Sequence, residues 1–369
     1  MTKLADIFRQ AGQAYRELFG DRMLPSHLKT MWDVEHCRTP ALGGHVFECD
    51  RCHRQDYAYH SCRNRHCPTC QADRARLWLE RQRQLLLPCQ YWLATVTLPD
   101  QLRRLARSHQ RTVYDILIRE AASALLDLTA DPKWIGGRTA ILAVLHTWSR
   151  AMVFHPHVHL LFPAGGLSPD GEAWVKPKNP KYLLPNYVLA DRFRTRMRKA
   201  LKEAGLFHLV PGKVWTIGWV ADVSPVGSGD NALRYISRYL LRVAISNHRI
   251  ERFENDRVTF RWTDSQTGRI RRSTLDVHAF IARFLQHVLP SGFVKVRTYG
   301  LSSPACRPLL EAARSILTNH PAITPSANSS TQDKQEQPAP APGERRLCPF
   351  CATGHMRPIA VIPRMRAPP

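Results

Sequence analysis

Three histidines at every second position, His155, His157 and His159, could bind a metal ion. They lie in the stretch FHPHVHLL (154–161), and alternate side chains of an extended strand leave the same face. The apolar residues between them would occupy the opposite, buried face. Burying several imidazoles without partners costs a few kcal/mol for each, whereas a metal ion would use their lone pairs. The pattern therefore predicts a metal site on one face of a strand.

Tyr235 and Tyr239 are four residues apart in ALRYISRYLLRVAISNHRI (232–250), so a helix would place them on one side. At about 100° per residue, both lie outside the apolar stripe of that helix. A row of arginines runs beside them at helical spacing: Arg234, Arg238 and Arg242. Phenols with a pKa near about 10 are hardly ionised at neutral pH, so nucleophilic attack would need a polarised phosphate. A metal ion on the histidines would polarise it. The alternative for the tyrosine pair alone is a packing role.

Ten cysteines in a basic chain favour metal binding over disulfides, if the protein is intracellular. Cys49-x2-Cys52 is followed after fourteen residues by Cys67-x2-Cys70, a spacing that predicts one structural four-thiolate zinc site. Four thiolates leave no open coordination position for chemistry. Arginines lie around these cysteines, and two of them are candidate DNA contacts: Arg63 and Arg65.

Further cysteines and histidines nearby could hold a second zinc ion: Cys37, Cys62, His36, His60 and His66. The alternative is that they are buried thiols and surface histidines. In the C-terminal stretch LCPFCATGH, Cys348 and Cys351 with His355 supply half of a zinc site. That half would recruit ligands from elsewhere or stay unused.

The composition predicts a polyanionic partner. The 369 residues include 53 Lys and Arg against 30 Asp and Glu, which gives a net charge of +23 and a pI near 10.1. Nucleic acid is the partner that such a charge favours; the alternative is a basic surface without a role. No apolar run approaches the length of a membrane span, and the N-terminus lacks the apolar core of a signal peptide. Both observations indicate an intracellular protein.

Strand-like runs alternate with helical patterns, without a regular βαβ repeat, and this predicts an α+β fold with a largely antiparallel sheet. The predicted strands are 91–99, 139–148, 153–163 and 214–223, with a hairpin at 257–275. The predicted helices include 71–87 and the basic helix 187–205. The expected domains are an N-terminal helix (1–24), a zinc-binding domain (25–75), a central α+β domain (76–305), a helix end with a disordered linker (306–346) and a C-terminal tail (347–369).

Three motifs resemble one family. HPHVHLL resembles the His-hydrophobic-His motif of the HUH endonucleases, and YISRYLLRVAISNHRI resembles the tyrosine motif of rolling-circle insertion-sequence transposases. HSCRNRHCPTCQ is similar to the N-terminal zinc-binding domain of that group, the insertion-sequence ninety-one family. The similarity spans residues from about 25 to 305. It implies an HUH-type endonuclease domain, with a central antiparallel sheet flanked by helices, behind a small zinc-binding domain.

The resemblance also implies a reaction. It implies a single-strand DNA nickase, dependent on Mg²⁺ or Mn²⁺, that forms a 5′-phosphotyrosine, frees a 3′-hydroxyl and then transfers the strand to a target. His157 and His159 match the two metal ligands of the motif, and Tyr235 and Tyr239 match the paired nucleophiles. His155 precedes the motif and is a further candidate, and the third ligand is not assigned. The zinc would be structural.

The partners implied are single-stranded element ends and target DNA, in the bacterial cytoplasm near the nucleoid. The sequence gives no oligomeric state. Two other functions remain open: a replication initiator or relaxase with the same chemistry, and a non-catalytic zinc-finger DNA-binding protein. A metallo-β-lactamase-type hydrolase would need an aspartate two positions after the second histidine of the pair, where this chain has His159 or Leu161.

Overall fold

The computed structural model describes residues 2–70, 78, 80–179, 182–228, 231–232, 244–264, 266–319 and 346–365. The chain divides into a large unit, Ala72–Thr324, and a small unit formed by Thr2–Gln71 and Pro325–Pro369. The small unit therefore contains both ends of the chain, and the large unit is inserted between them. The C-terminal segment, expected as a separate tail, belongs to the small unit.

The secondary structure alternates between short strands and helices. The strands are β1 Gly44–Cys49, β2 Gln55–Tyr59, β3 Gln90–Thr97, β4 Ala140–Trp148, β5 Phe154–Pro163, β6 Gly166–Leu167, β7 Trp174–Val175, β8 Val220–Ser228, β9 Ile250–Glu254, β10 Arg257–Thr263, β11 Ile270–Asp276, β12 Val296–Gly300 and β13 Met356–Ile362. The helices are α1 Leu4–Phe19, α2 Pro25–Glu35, α3 Arg103–Ser108, α4 Gln110–Ala130, α5 Asn186–Glu203, α6 Val277–Leu285 and α7 Arg307–Asn319.

The large unit is built on a central sheet. Within the described residues this sheet has five strands in the order β12-β4-β5-β3-β8, and every neighbouring pair is antiparallel. The expected α+β fold with a central antiparallel sheet is confirmed. The predicted strand 214–223 begins only at Val220, because residues Gly212–Trp215 form a 3₁₀ turn.

One face of the central sheet is covered by helices. On β5 the alternate residues Val158, Leu160 and Phe162 are fully buried, and they share one hydrophobic core with apolar residues of α3, α4 and α5. Helix α5 pairs its arginines with acidic residues of α4: Arg196 contacts Glu120 at 3.0 Å and Asp127 at 2.9 Å. The opposite face carries the odd-numbered residues of β5, where the histidines lie.

Three further strands, β9, β10 and β11, lie between β8 and β12 in the chain and form a separate antiparallel sheet. The hairpin predicted at 257–275 is confirmed by the pairing of β10 with β11. This sheet packs on α6, where the rings of Phe260 and Phe280 lie 5.9 Å apart. None of the helices in the described part of the chain has the length and apolarity needed to span a membrane.

The small unit joins two helices to a sheet with the order β13-β1-β2 in the described residues. The apolar side of α1, including Ile7 and Phe8, is buried as its spacing predicts. Arg16 on α1 pairs with the buried Glu35 on α2 at 2.7 Å. Strand β13 pairs antiparallel with β1, so the last described strand of the chain lies beside the first.

Candidate active site and metal centres

Three histidines meet on the face of the central sheet that lies opposite helices α3, α4 and α5. His157 and His159 extend from β5, and His146 on β4 lies directly opposite His157 in the antiparallel register. One ring nitrogen from each of the three lies within 4.8 Å of the other two. We call the side of the sheet that carries them the histidine face. Sequence reasoning did not find His146, because the fully buried strand β4 gives no alternation that shows which face each residue occupies.

The surroundings orient these rings. Nδ1 of His157 donates a hydrogen bond to the carbonyl oxygen of His155 at 2.7 Å, which leaves the lone pair of its Nε2 for a metal ion. Nδ1 of His159 lies 2.9 Å from Oγ1 of Thr95 on β3. Trp148 stacks on the His146 ring at 4.8 Å. Such outer contacts fix the tautomer and orientation of histidine ligands.

Burial keeps the pair on β5 neutral. It lowers the pKa of His157 to about 4 and the pKa of His159 well below its ordinary value. Neutral imidazole is the form that binds a metal ion. Three nitrogens leave coordination positions for water or phosphate oxygens, so the donor set fits an accessible metal centre. Imidazole suits transition-metal ions and Mg²⁺ prefers oxygen, so of the two expected ions Mn²⁺ fits these donors better.

Thr95→Val should weaken metal binding at this site by about 10- to 100-fold, the usual effect of losing an outer hydrogen bond to a ligand. Valine keeps the shape of threonine and removes only the hydroxyl that contacts His159. Mn²⁺ titration of the protein without DNA measures the change. Thr298→Val, on β12 opposite Leu142, is the matched control and should bind Mn²⁺ as the unchanged protein does. Equal affinity in both variants would contradict the orienting role of Thr95.

His155 does not join the other three histidines. Its Nδ1 accepts a hydrogen bond from Nη2 of Arg103 at 3.0 Å, and burial followed by this guanidinium lowers its pKa. A fixed positive charge beside the ring opposes binding of a cation. In the group of three ring nitrogens, the third belongs to His146 on the neighbouring strand.

The tyrosine segment lies outside the described residues, and so do Tyr235, Tyr239, Arg234, Arg238 and Arg242. The described residues on its N-terminal side show on which face of the central sheet the chain lies before this segment begins. Ala232 is fully buried and packs with Leu93, Leu142 and Leu161. Leu161 is two residues beyond His159 on β5, so its side chain projects from the same face as His159. Leu93 and Leu142 pair with Leu161 in the sheet register and therefore project from that face as well. The chain therefore enters the tyrosine segment from the face that carries the histidines.

The small unit brings four cysteines together in a first cluster, Cys37, Cys62, Cys67 and Cys70, whose sulfurs all lie within 4.8 Å of one another. Sγ of Cys62 and Sγ of Cys70 are 3.6 Å apart, too far for a disulfide. Sulfurs about 2.3 Å from one tetrahedral zinc ion lie about 3.8 Å from each other. Hydrogen bonds from the neighbouring thiols lower the pKa of Cys37. The cluster fits structural zinc.

A second cluster joins Cys49 and Cys52 to Cys348 and Cys351. The four cysteines predicted to share one site are divided between the two clusters: Cys67 and Cys70 lie in the first, and Cys49 and Cys52 lie in the second. The C-x2-C spacing identifies which cysteines form a turn, but the pairing of β13 with β1 decides which turns meet. The C-terminal pair, Cys348 and Cys351, therefore lies beside Cys49 and Cys52 of the N-terminal region.

The other candidates of the zinc region lie outside both clusters. His36 contacts the carbonyl oxygen of Trp32 through Nδ1 at 2.8 Å, His60 packs edge-on against His45, and His66 is buried. The backbone N–H of His355 donates to Asp50. Of the two arginines predicted to contact DNA here, Arg63 is exposed and Arg65 is half-buried.

Comparisons with known proteins identify the chain. A family model described as "Putative transposase" matches residues 140–308, and one described as "Transposase zinc-binding domain" matches residues 7–98. The first range holds the three histidines and the tyrosine segment, and the second holds the first cysteine cluster. No solved structure was found to match.

Two relatives agree with these matches. "Putative transposase y4qJ" of Sinorhizobium fredii (strain NBRC 101917 / NGR234) is 36% identical over 388 residues, which cover 100% of this chain and 97% of the relative. "Transposase for insertion sequence element IS801" of Pseudomonas savastanoi pv. phaseolicola is 27% identical over 300 residues, 76% of this chain and 71% of the relative. With a zinc-binding region at its N-terminus and this similarity along its length, the chain belongs to the insertion-sequence ninety-one family of transposases.

Proposed function

We propose that this transposase cleaves single-stranded DNA by metal-assisted attack of a tyrosine and then transfers the strand in rolling-circle transposition. The observation that supports it most directly is the histidine triad on the sheet face from which the chain enters the tyrosine segment. A non-catalytic DNA-binding protein would have no use for three imidazoles whose ring nitrogens lie this close together. The transposase would act in the cytoplasm, on the DNA of the nucleoid.

The reach of the chain supports a tyrosine at the triad. Tyr235 follows Ala232 by three residues, so its Cα lies within about 11 Å of the Ala232 Cα in any conformation. Ala232 packs against Leu161, and Leu161 is about 7 Å along β5 from His159. A phosphate bound at the histidines therefore lies within the reach of Tyr235.

The proposed step exchanges one phosphoester for another. Oη of a tyrosine bonds to phosphorus as the bond from phosphorus to O3′ breaks. The phenolic proton leaves to solvent, and O3′ takes up a proton as the free 3′-hydroxyl. The enzyme then holds a 5′-phosphotyrosine, and attack by a 3′-hydroxyl on that linkage reverses the exchange at a target. Because the linkage conserves the ester, rejoining needs no ATP.

Each part of the site has a separate task. A divalent ion supplies polarisation of a nonbridging phosphate oxygen and stabilises the leaving oxygen, worth several kcal/mol. His146, His157 and His159 would hold that ion, and Thr95 and the His155 carbonyl keep two of their rings in place. The net charge of +23 attracts the DNA backbone. The arginines of the tyrosine segment would contact phosphates next to the cleaved one.

The proposal is tested by incubating the protein with end-labelled single-stranded DNA of an element end and Mn²⁺, then separating the products on a denaturing SDS gel. A labelled band at the mass of the protein plus DNA is expected, together with a fragment that ends in a 3′-hydroxyl. EDTA should remove both, and double-stranded DNA of the same sequence should give neither. Cleavage without a protein-linked product would contradict the proposal.

A further inference from the structure

The second cysteine cluster joins the two ends of the chain. Strand β1 ends at Cys49, and β13 begins at Met356, directly opposite Cys49 in the register. The turn with Cys49 and Cys52 therefore lies at the same end of the sheet as the turn with Cys348 and Cys351, which precedes β13. Chain direction alone thus brings the two C-x2-C turns face to face.

Both turns have the geometry of metal-binding turns. The backbone N–H groups of Arg51 and Cys52 each donate to Sγ of Cys49 at 3.4 Å. In the tail, the N–H groups of Phe350 and Gly354 donate to the sulfurs of Cys348 and Cys351, again at 3.4 Å. Donors aimed at sulfur stabilise thiolates, the form of cysteine that binds zinc.

Distances across the cluster fit one zinc ion. Sγ of Cys49 lies 3.7 Å from Sγ of Cys351, and Sγ of Cys52 lies 3.6 Å from Sγ of Cys348. Four sulfurs around a tetrahedral zinc ion lie about 3.8 Å apart, while a disulfide would need about 2 Å. Cys49 and Cys348 are almost fully buried.

The tail is held closely around this point. A Cβ at Gly354 would lie 2.5 Å from Sγ of Cys49 and 2.9 Å from the Asp50 carboxylate, so only glycine fits there without displacement. Asp50 forms two hydrogen bonds with the backbone of His355. The Asp50 N–H donates to the His355 carbonyl oxygen at 3.0 Å, and the Asp50 carboxylate accepts from the His355 N–H at 2.8 Å.

We propose that Cys49, Cys52, Cys348 and Cys351 bind a second structural zinc ion that fastens the C-terminal tail to the N-terminal sheet. The family models match 7–98 and 140–308 and so leave the tail cysteines unassigned. Each chain then carries two zinc ions, one held within the N-terminal region and one shared by its two ends. The proposal is independent of the tyrosine chemistry.

Zinc content provides the first measurement. The full-length protein should contain two zinc ions per chain by elemental analysis, and Cys351→Ser should contain one. Cys351→His should keep two, because zinc accepts three cysteines and one histidine. The control Cys89→Ser/Cys306→Ser changes two cysteines outside both clusters and should also keep two. One zinc ion in the unchanged protein, or two in Cys351→Ser, would overturn the proposal.

Retention of the tail provides the second measurement and does not depend on how well a variant takes up zinc elsewhere. A protease recognition site placed in the Pro-, Ser- and Gln-rich stretch 325–340 allows the purified full chain to be cut there. The released C-terminal fragment should stay bound during gel filtration in the otherwise unchanged protein and in Cys351→His, and separate in Cys351→Ser. Separation from the otherwise unchanged protein, or retention in Cys351→Ser, would exclude a zinc-fastened tail.

Discussion

Replacing Tyr235 and Tyr239 together by phenylalanine is expected to abolish the covalent adduct between protein and DNA, while binding of single-stranded DNA changes less than about threefold. Phenylalanine keeps the ring and removes only the oxygen that would bond to phosphorus. Without either phenolic oxygen the proposed ester cannot form, so the loss should be complete rather than partial. The adduct is measured on a denaturing gel, and binding is measured by fluorescence anisotropy with the same oligonucleotide.

The controls for this variant are exposed tyrosines of the large unit. Tyr182→Phe/Tyr187→Phe removes two hydroxyls that are open to solvent and should form the adduct normally. Tyr91 shares the histidine face but is buried, and its Oη accepts a hydrogen bond from the Leu87 N–H at 2.9 Å. Burial also raises its pKa, so it cannot substitute as nucleophile. Adduct formation by the Tyr235/Tyr239 double variant would exclude the proposed nucleophiles.

His146→Asn should reduce adduct formation by at least about 100-fold at limiting Mn²⁺, because it removes one of three metal ligands; outer-contact changes already cost about 10- to 100-fold. His155→Ala should have a far smaller effect, since His155 bonds to Arg103 and lies outside the triad. The initial rate of adduct formation at several Mn²⁺ concentrations measures both variants.

Rescue by metal separates a lost ligand from a damaged fold. If His146 is a ligand, raising the Mn²⁺ concentration should restore part of the activity of His146→Asn, because its deficit is in affinity. Binding of Mn²⁺ without DNA should weaken in parallel. A larger loss in His155→Ala than in His146→Asn would reverse the assignment of the third ligand and favour the sequence motif over the strand register.

The histidine face shows which part of the site could be predicted from sequence. Alternation along β5 correctly places His157 and His159 on one side and Val158 on the buried side. The proposed third ligand depends on the register between β4 and β5, which pairs His146 with His157. When all residues of a strand are buried, as in β4, its sequence has no apolar–polar alternation from which the register could be predicted.

In the zinc region, too, the sequence predicts one part of each site and tertiary structure decides the other. The spacing of C-x2-C predicts a turn that presents two sulfurs, and such turns are found at Cys49 and at Cys348. Which turns share an ion depends on a strand pairing between residues about 300 positions apart. The basic helix α5 shows the same limit, since Arg196 faces Glu120 and Asp127 of α4, and local sequence does not reveal these partners.

The order of β13-β1-β2 has a consequence for synthesis. Chains generally begin to fold from the N-terminus while the ribosome is still translating, but here β1 lacks one neighbour until β13 has been synthesised. Until then its edge offers unpaired backbone groups, a feature that invites aggregation. A transcript with a premature stop codon after α7 would yield a protein with the strands of the central sheet but without β13, the partner of β1. Completion of the N-terminal domain therefore requires translation through β13.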